Sequence, residues 1–236
     1  MNLKEISRKY KTDKENEHEY LETYEKHFGN TIKREDVKKV VEIGIYYGDS
    51  LLMWAEYFPN AQIIGADIID YSATDYKLSL DGKTLIDRSD VLLNHPRIKT
   101  YVLDQTDEKS IKDFKFNIGN DCDILIDDGG HSMEMHQKTL KHLLDCVSLK
   151  GLYIIEDLHS CNTVEKELYG FPLIQEGDTL TTDLLEDLKD EQGLYPYTNY
   201  INEDEMLHIK NQIYKIEIDM CKLSEIAFIY KKWPLI

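Results

Sequence analysis

Short β-branched runs alternate along this chain with stretches spaced for a helix. Residues 38–45 (KKVVEIGI) predict a first strand ending near a glycine. Residues 49–58 (DSLLMWAEYF) read as a helix, stopped by Pro59 and Asn60. Four further strands are predicted over 61–68 (AQIIGADI), 98–103 (IKTYVL), 122–127 (CDILID) and 151–156 (GLYIIE). Ser132 can cap a helix running to about Ser148, with Leu140, Leu143, Leu144 and Val147 on one face. The last two runs, 212–218 (QIYKIEI) and 225–231 (EIAFIYK), lack a helix between them and predict a hairpin at one sheet edge. Together these elements predict a doubly wound, Rossmann-like α/β sheet of mostly parallel strands, buried on both faces.

Three segments fall outside that core: an N-terminal region over 1–35, a connection over 69–97 and a polar stretch over 158–208. The expected organisation is an N-terminal helical lid followed by one domain over 36–236 that carries the other two as insertions. In open sheets of this kind ligands bind beyond the carboxyl ends of the strands, so all three segments are expected to wall the site.

Composition narrows the function. Across 236 residues, 28 Lys and Arg stand against 45 Asp and Glu, a formal charge of −17. Such a field repels phosphate backbones, which argues against nucleic acid as a partner. No apolar run approaches a membrane span, and the N-terminus has no apolar leader stretch. Cys122, Cys146, Cys161 and Cys221 are scattered without metal-binding spacing and read as reduced thiols of a cytoplasmic protein. The reading leaves room for a homo-oligomer.

The candidate chemistry lies at the strand ends. After the first strand comes Glu42-Ile43-Gly44-Ile45-Tyr46-Tyr47-Gly48-Asp49-Ser50, an acidic residue followed by two glycines that let the backbone turn and a ligand approach the next helix. The dinucleotide fingerprint is broken, because Tyr46 stands where its second glycine belongs. Asp67 closes the second strand, where a carboxylate can accept both ribose hydroxyl protons. Asp104 and Gln105 follow the third strand, placed to meet an adenine edge. The fourth strand runs out into Asp127-Asp128-Gly129-Gly130-His131 and the fifth into Glu156-Asp157-Leu158-His159. Acids converging from neighbouring strands raise each other's pKa unless a cation joins them, and an all-oxygen set suits Mg²⁺ or Mn²⁺.

These motifs resemble the class I S-adenosylmethionine (SAM)-dependent methyltransferases, VVEIGIYYGDS matching their first motif and IIGADI their second. IDDGGHS, LKGLYIIEDLHS and Asp104-Gln105-Thr106-Asp107 are similar, more specifically, to the metal-dependent O-methyltransferases that tailor sugars of macrolides and related glycosides. The segment Lys9-Tyr10-Lys11-Thr12-Asp13-Lys14, with Tyr20 and Tyr24 behind it, resembles that family's KYGTDK motif, with Lys11 in place of its glycine. The resemblance implies the seven-stranded class I methyltransferase fold with its terminal hairpin. It implies SAM as cofactor, held by Glu42, Gly44, Gly48, Ser50, Asp67, Asp104, Gln105 and Asp127. It also implies a divalent ion on Asp128, Glu156 and Asp157, with Asp127 as the alternative ligand, and His131 as general base.

His159 is the second candidate base, and His18 a residue that closes the lid. His136 and His142 read as helix-surface or packed histidines. Tyr46, Tyr47, Tyr195, Tyr197 and Tyr200 are weaker candidates for lining a sugar site. The expected activity is SAM- and metal-dependent O-methylation of a sugar hydroxyl, in a nucleotide sugar, a glycoside or a surface-polysaccharide precursor. The alternatives are a metal-dependent methyltransferase of catechol-like molecules and a noncatalytic SAM- or metal-binding partner of a biosynthetic complex.

Overall fold

In the computed structural model, parallel strands form where the β-branched runs predict them. The structure describes residues 1–10, 12–72, 79–80, 83–84, 91–158, 175, 177–189 and 198–232. The strands of the main sheet are β1 (Lys39–Ile43), β2 (Gln62–Asp67), β3 (Ile98–Val102), β4 (Cys122–Asp127), β5 (Val147–Ile155), β6 (Ile213–Met220) and β7 (Glu225–Lys231). Their spatial order is β3-β2-β1-β4-β5-β7-β6. The pairings β2–β3, β1–β2, β1–β4 and β4–β5 are parallel. β7 runs antiparallel between β5 and β6, so the predicted hairpin is present at the edge.

Helix α4 (Asp49–Tyr57) follows β1 and α6 (Met133–Leu143) follows β4. Ser132 caps α6 by accepting from the Met135 amide, as the sequence suggests. The helix ends at Leu143, however, and a 3₁₀ turn over Leu144–Cys146 leads into β5 four residues before the predicted start. Helix α5 (Glu108–Ile118) falls between the predicted elements. Its buried side chains Ile111, Phe114 and Ile118 follow an i, i+3, i+7 spacing, diluted by the charged residues between them. Helices α7 (Thr181–Lys189) and α8 (Glu203–Gln212) precede β6.

Because parallel strands bury both faces, the apolar residues form two clusters. Ile43, Leu125, Tyr153 and Ile155 pack on one face with α5 and α6. Val40, Ile63, Ile124, Ile154 and Phe228 pack on the other. The N-terminal segment joins this second cluster through α1 (Leu3–Tyr10), α2 (Asp13–Asn16) and α3 (Tyr20–Thr31). Tyr20, Tyr24 and Phe28 share one face of α3 and are buried, and Tyr24 and Phe28 pack against Trp54. Each fully buried side chain of this size contributes roughly 1.5–3 kcal/mol, which fixes the segment over the carboxyl ends of β4 and β5.

Candidate active site

The strand ends that carry the chemistry are held in unusual backbone conformations. Tyr46 after β1, His131 after β4 and Asp157 after β5 all lie in the left-handed region, at φ +50°, +59° and +54°. Three non-glycine residues in that region at three neighbouring strand ends mark a site whose surroundings impose the geometry. Gly44 at φ +91° is the tightest point. A Cβ there would stand 1.8 Å from the Asp128 carbonyl oxygen, so the turn after β1 can lie against the turn after β4 only with glycine.

Asp67 sits at the end of β2, and its Oδ2 accepts from the amides of Ile45 (2.8 Å) and Tyr46 (3.4 Å). Asp104 accepts from the Thr106 amide (2.8 Å) and hydroxyl (2.7 Å) in a local turn, and this hydroxyl in first place holds its carboxyl below the usual range. Gln105 is buried, donating to Asp127 Oδ1 (2.9 Å) and accepting from the Gly130 amide (2.8 Å). Asp127 is fully buried, accepts also from Thr139 and Tyr153, and is pushed up to about 6 by burial. It belongs to neither of the carboxylate groups described next, which leaves Asp128 as the Asp of this pair suited to a metal ion.

Among the described residues two overlapping groups have the spacing for a metal ion: Asp128 with His131 and Asp157, and Glu42 with Asp128 and Glu156. In each, one ligand atom per residue lies within 4.8 Å of the others. Glu42, placed with the cofactor by its sequence position, therefore lies with the carboxylates. It is fully buried and accepts from Ser50 Oγ (2.6 Å) and Trp54 Nε1 (3.0 Å). Burial pushes Glu42 and Glu156 up, against the opposing pull of Lys14. Asp128 is common to both groups, whereas Glu156 and Asp157, expected as ligands of one ion, fall in different ones; the mostly oxygen donors suit a hard divalent cation.

His131 Nε2 lies 3.3 Å from Asp128 Oδ1 and 3.6 Å from Asp157 Oδ2. Burial opposes its charge, but the two carboxylates outweigh that and raise the ring to about 9. Asp157 Oδ1 accepts from Tyr20 Oη (2.6 Å) and lies 3.3 Å from His18 Nδ1, so His18 does reach the site from the N-terminal segment. Tyr24 Oη donates to Glu156 Oε1. The Lys14 ammonium lies 2.6 Å from Asp128 Oδ2 and 2.8 Å from Glu156 Oε1. Lys14, Tyr20 and Tyr24 have no role in the strand-end reasoning, although all three sit in the N-terminal segment whose motif resembles KYGTDK.

The Tyr46 and Tyr47 rings lie 4.0 Å apart, tilted by 57°, and Tyr200 packs against the α5–α6 side of the core. His136 is fully buried, as expected for a packed residue. His159, Tyr195, Tyr197 and Cys161 lie outside the described residues, as do the rest of 159–174 and 190–197.

Comparison with known proteins agrees with this geometry. No protein-family model matches the chain. The 8-demethyl-8-alpha-L-rhamnosyl tetracenomycin-C 2'-O-methyltransferase of Streptomyces olivaceus is 32% identical over 162 residues, covering 66% of this chain and 37% of that protein. The mycinamicin VI 2''-O-methyltransferase of Micromonospora griseorubida is 32% identical over 164 residues, covering 66% and 36%. The solved MycE methyltransferase of the mycinamycin pathway, in complex with Mg, SAH and mycinamycin VI, superposes with a TM-score of 0.72 at 27% identity, over 99% of this chain and 55% of its own. The sheet order, the strand-end site and this superposition define a Rossmann-like methyltransferase fold. Both curated relatives are named as O-methyltransferases, and the matched region spans little more than a third of their length.

Proposed function

We propose that this protein transfers a methyl group from SAM to a sugar hydroxyl with the help of a divalent cation. The observation that carries the reading is the placement of His131 between Asp128 and Asp157, at adjacent parallel strand ends and within 3.6 Å of both. A proton acceptor thereby lies against the carboxylates that suit the ion, on the side of the sheet where the Gly44 turn and Asp67 are placed for the cofactor.

Bound there, a Mg²⁺ or Mn²⁺ ion would lower the pKa of a hydroxyl by several units. The chain's own part is to hold, orient and deprotonate. Asp128 and Asp157, within 3.6 Å of His131 Nε2, favour the charged form of its ring. With a divalent ion held on those carboxylates, His131 would be neutral and could accept the hydroxyl proton as base. Asp67, Gly44 and Gly48 shape the cofactor side, with Asp104 and Gln105 beyond them at the end of β3. Glu42 and Asp127 act from beneath, supporting Ser50, Trp54 and Gln105 rather than the cofactor itself.

The acceptors that fit are glycosides first, then nucleotide sugars and surface-polysaccharide precursors. The test is methyl transfer from labelled SAM to a panel of rhamnosides, macrolide glycosides, nucleotide sugars and catechols, with EDTA and with Mg²⁺ restored. Labelling of a sugar that EDTA abolishes and Mg²⁺ restores is the expected result. Labelling of catechols alone would move the acceptor class, and full activity after exhaustive chelation would overturn the role of the ion.

A further inference from the structure

Lys14 is a buried cation that the proposed reaction does not use. It is 1% exposed on the short helix α2, and Thr12 caps that helix by accepting from the Lys14 amide. Its Nζ stands 2.6 Å from Asp128 Oδ2, 2.8 Å from Glu156 Oε1 and 3.2 Å from Glu42 Oε1. These are the three residues of the second metal-competent group, so an ammonium already stands among them. Asp128 is shared. Its Oδ2 faces Lys14, while its Oδ1 faces His131 in the other group.

We propose that Lys14 is a positioning residue, the resident cation of the Glu42–Asp128–Glu156 cluster, which confines the exchangeable divalent ion to the side of His131 and Asp157. The inference rests on the metal-dependent reading above for the ion, but not for the place of the ammonium. Two buried carboxylates and a third, partly buried one repel one another strongly at this spacing. A tethered ammonium relieves that repulsion without exchanging with solvent, and it fixes the rotation of Asp128 so that one oxygen remains for the ion. It also makes the site depend on the N-terminal segment, because α2 delivers the charge and Tyr20 and Tyr24 of α3 hold Asp157 and Glu156. Without the ammonium, the cluster is an oxygen-lined hole suited to a second divalent ion.

Mn²⁺ binding to the full chain, followed by electron paramagnetic resonance and calorimetry, tests this. Wild type is expected to bind one ion. Lys14→Ala, which empties the ammonium position, should bind two, and methylammonium should compete with the second. Lys14→Met, which fills the position without charge, should bind one ion about 10–100-fold more weakly, the usual effect of losing a residue that orients a ligand. Affinity for S-adenosylhomocysteine (SAH) should stay within about twofold in both, since the cofactor side is untouched. A purely structural lysine would lower the melting temperature and leave Mn²⁺ stoichiometry and affinity unchanged, and that result overturns the proposal. If Lys14→Ala does not fold alone, recovery of its melting transition by methylammonium supports the proposal, and no recovery overturns it. Absence of Mn²⁺ binding by wild type would instead count against the metal-dependent reading, and uptake of methylammonium by Lys14→Ala would still decide the place of the ammonium.

Discussion

The amide of Ile45 donates to Asp67 Oδ2 at 2.8 Å, so one carboxylate at the end of β2 holds the turn that follows β1. The Ile69 amide binds the other oxygen at 3.1 Å, which ties the chain leaving β2 to the same side chain. Asp67 thus orders both walls of the expected ribose site before a ligand arrives.

That double role separates two substitutions. Asp67→Asn keeps one acceptor oxygen but loses the other and the charge, so SAH binding should weaken by about 1.5–3 kcal/mol, the worth of a charge-assisted hydrogen bond, with a smaller drop in melting temperature than Asp67→Ala. Asp67→Ala should lose stability as well. Calorimetry checks the first and thermal unfolding the second. Unchanged SAH affinity in both would remove Asp67 from the cofactor site.

Gly44 and Gly48 should respond differently to alanine. At Gly44 the added Cβ meets the Asp128 backbone at 1.8 Å, and neither strand can retreat. At Gly48 it meets the Leu92 side chain at 2.3 Å, which can rotate away. Gly48→Ala should cost about 1–2 kcal/mol from its φ of +75°. Gly44→Ala should cost more than about 4 kcal/mol or prevent folding. Urea unfolding of the two variants ranks them, and equal stabilities would show that the β1 and β4 turns are not in contact.

Removing the base and removing a carboxylate should also differ. His131→Ala is expected to lower kcat by about 10²–10⁴ while Mg²⁺ and SAM still bind. Asp157→Ala should abolish transfer and weaken Mg²⁺ binding, with SAM affinity nearly intact because the sulfonium needs no metal. A normal rate in His131→Ala would send the base elsewhere, and His18, beside Asp157, becomes the next residue to substitute.

His136 gives a stability prediction. Burial, with the nearby His131 charge, lowers it to about 3, whereas in the unfolded chain it titrates at its ordinary 6.5. A depressed folded-state pKa means that the fold has its full contribution above pH 6.5 and loses it as pH falls toward 3. The loss is about 1.4 kcal/mol per pH unit for the one proton that only the unfolded chain takes up. Between pH 6.5 and 5, wild type should therefore lose about 1.6 kcal/mol more than His136→Leu, since the unfolded histidine is half protonated already at 6.5. Urea titrations at both values measure it, and parallel losses would mean that the folded chain protonates His136.

The strands and their order of appearance were legible in the sequence because a parallel sheet buries both faces, and that demand writes continuous β-branched runs such as VVEI, QIIGAD and DILID. Ser132 as a helix cap and the closing hairpin were legible for the same local reason. Asp67, Asp128, His131, Glu156 and Asp157 could be named because strand ends in this architecture converge. Tertiary structure decided what local pattern does not carry. It turned Asp127 inward to Gln105 and Thr139 and set Glu42 beside Asp128 and Glu156. It also brought Lys14 across 114 residues of chain to Asp128. Neighbouring side chains on one strand alternate between faces, so which of two adjacent acids meets solvent depends on register, and a charge delivered from a separate helix depends on how that helix packs.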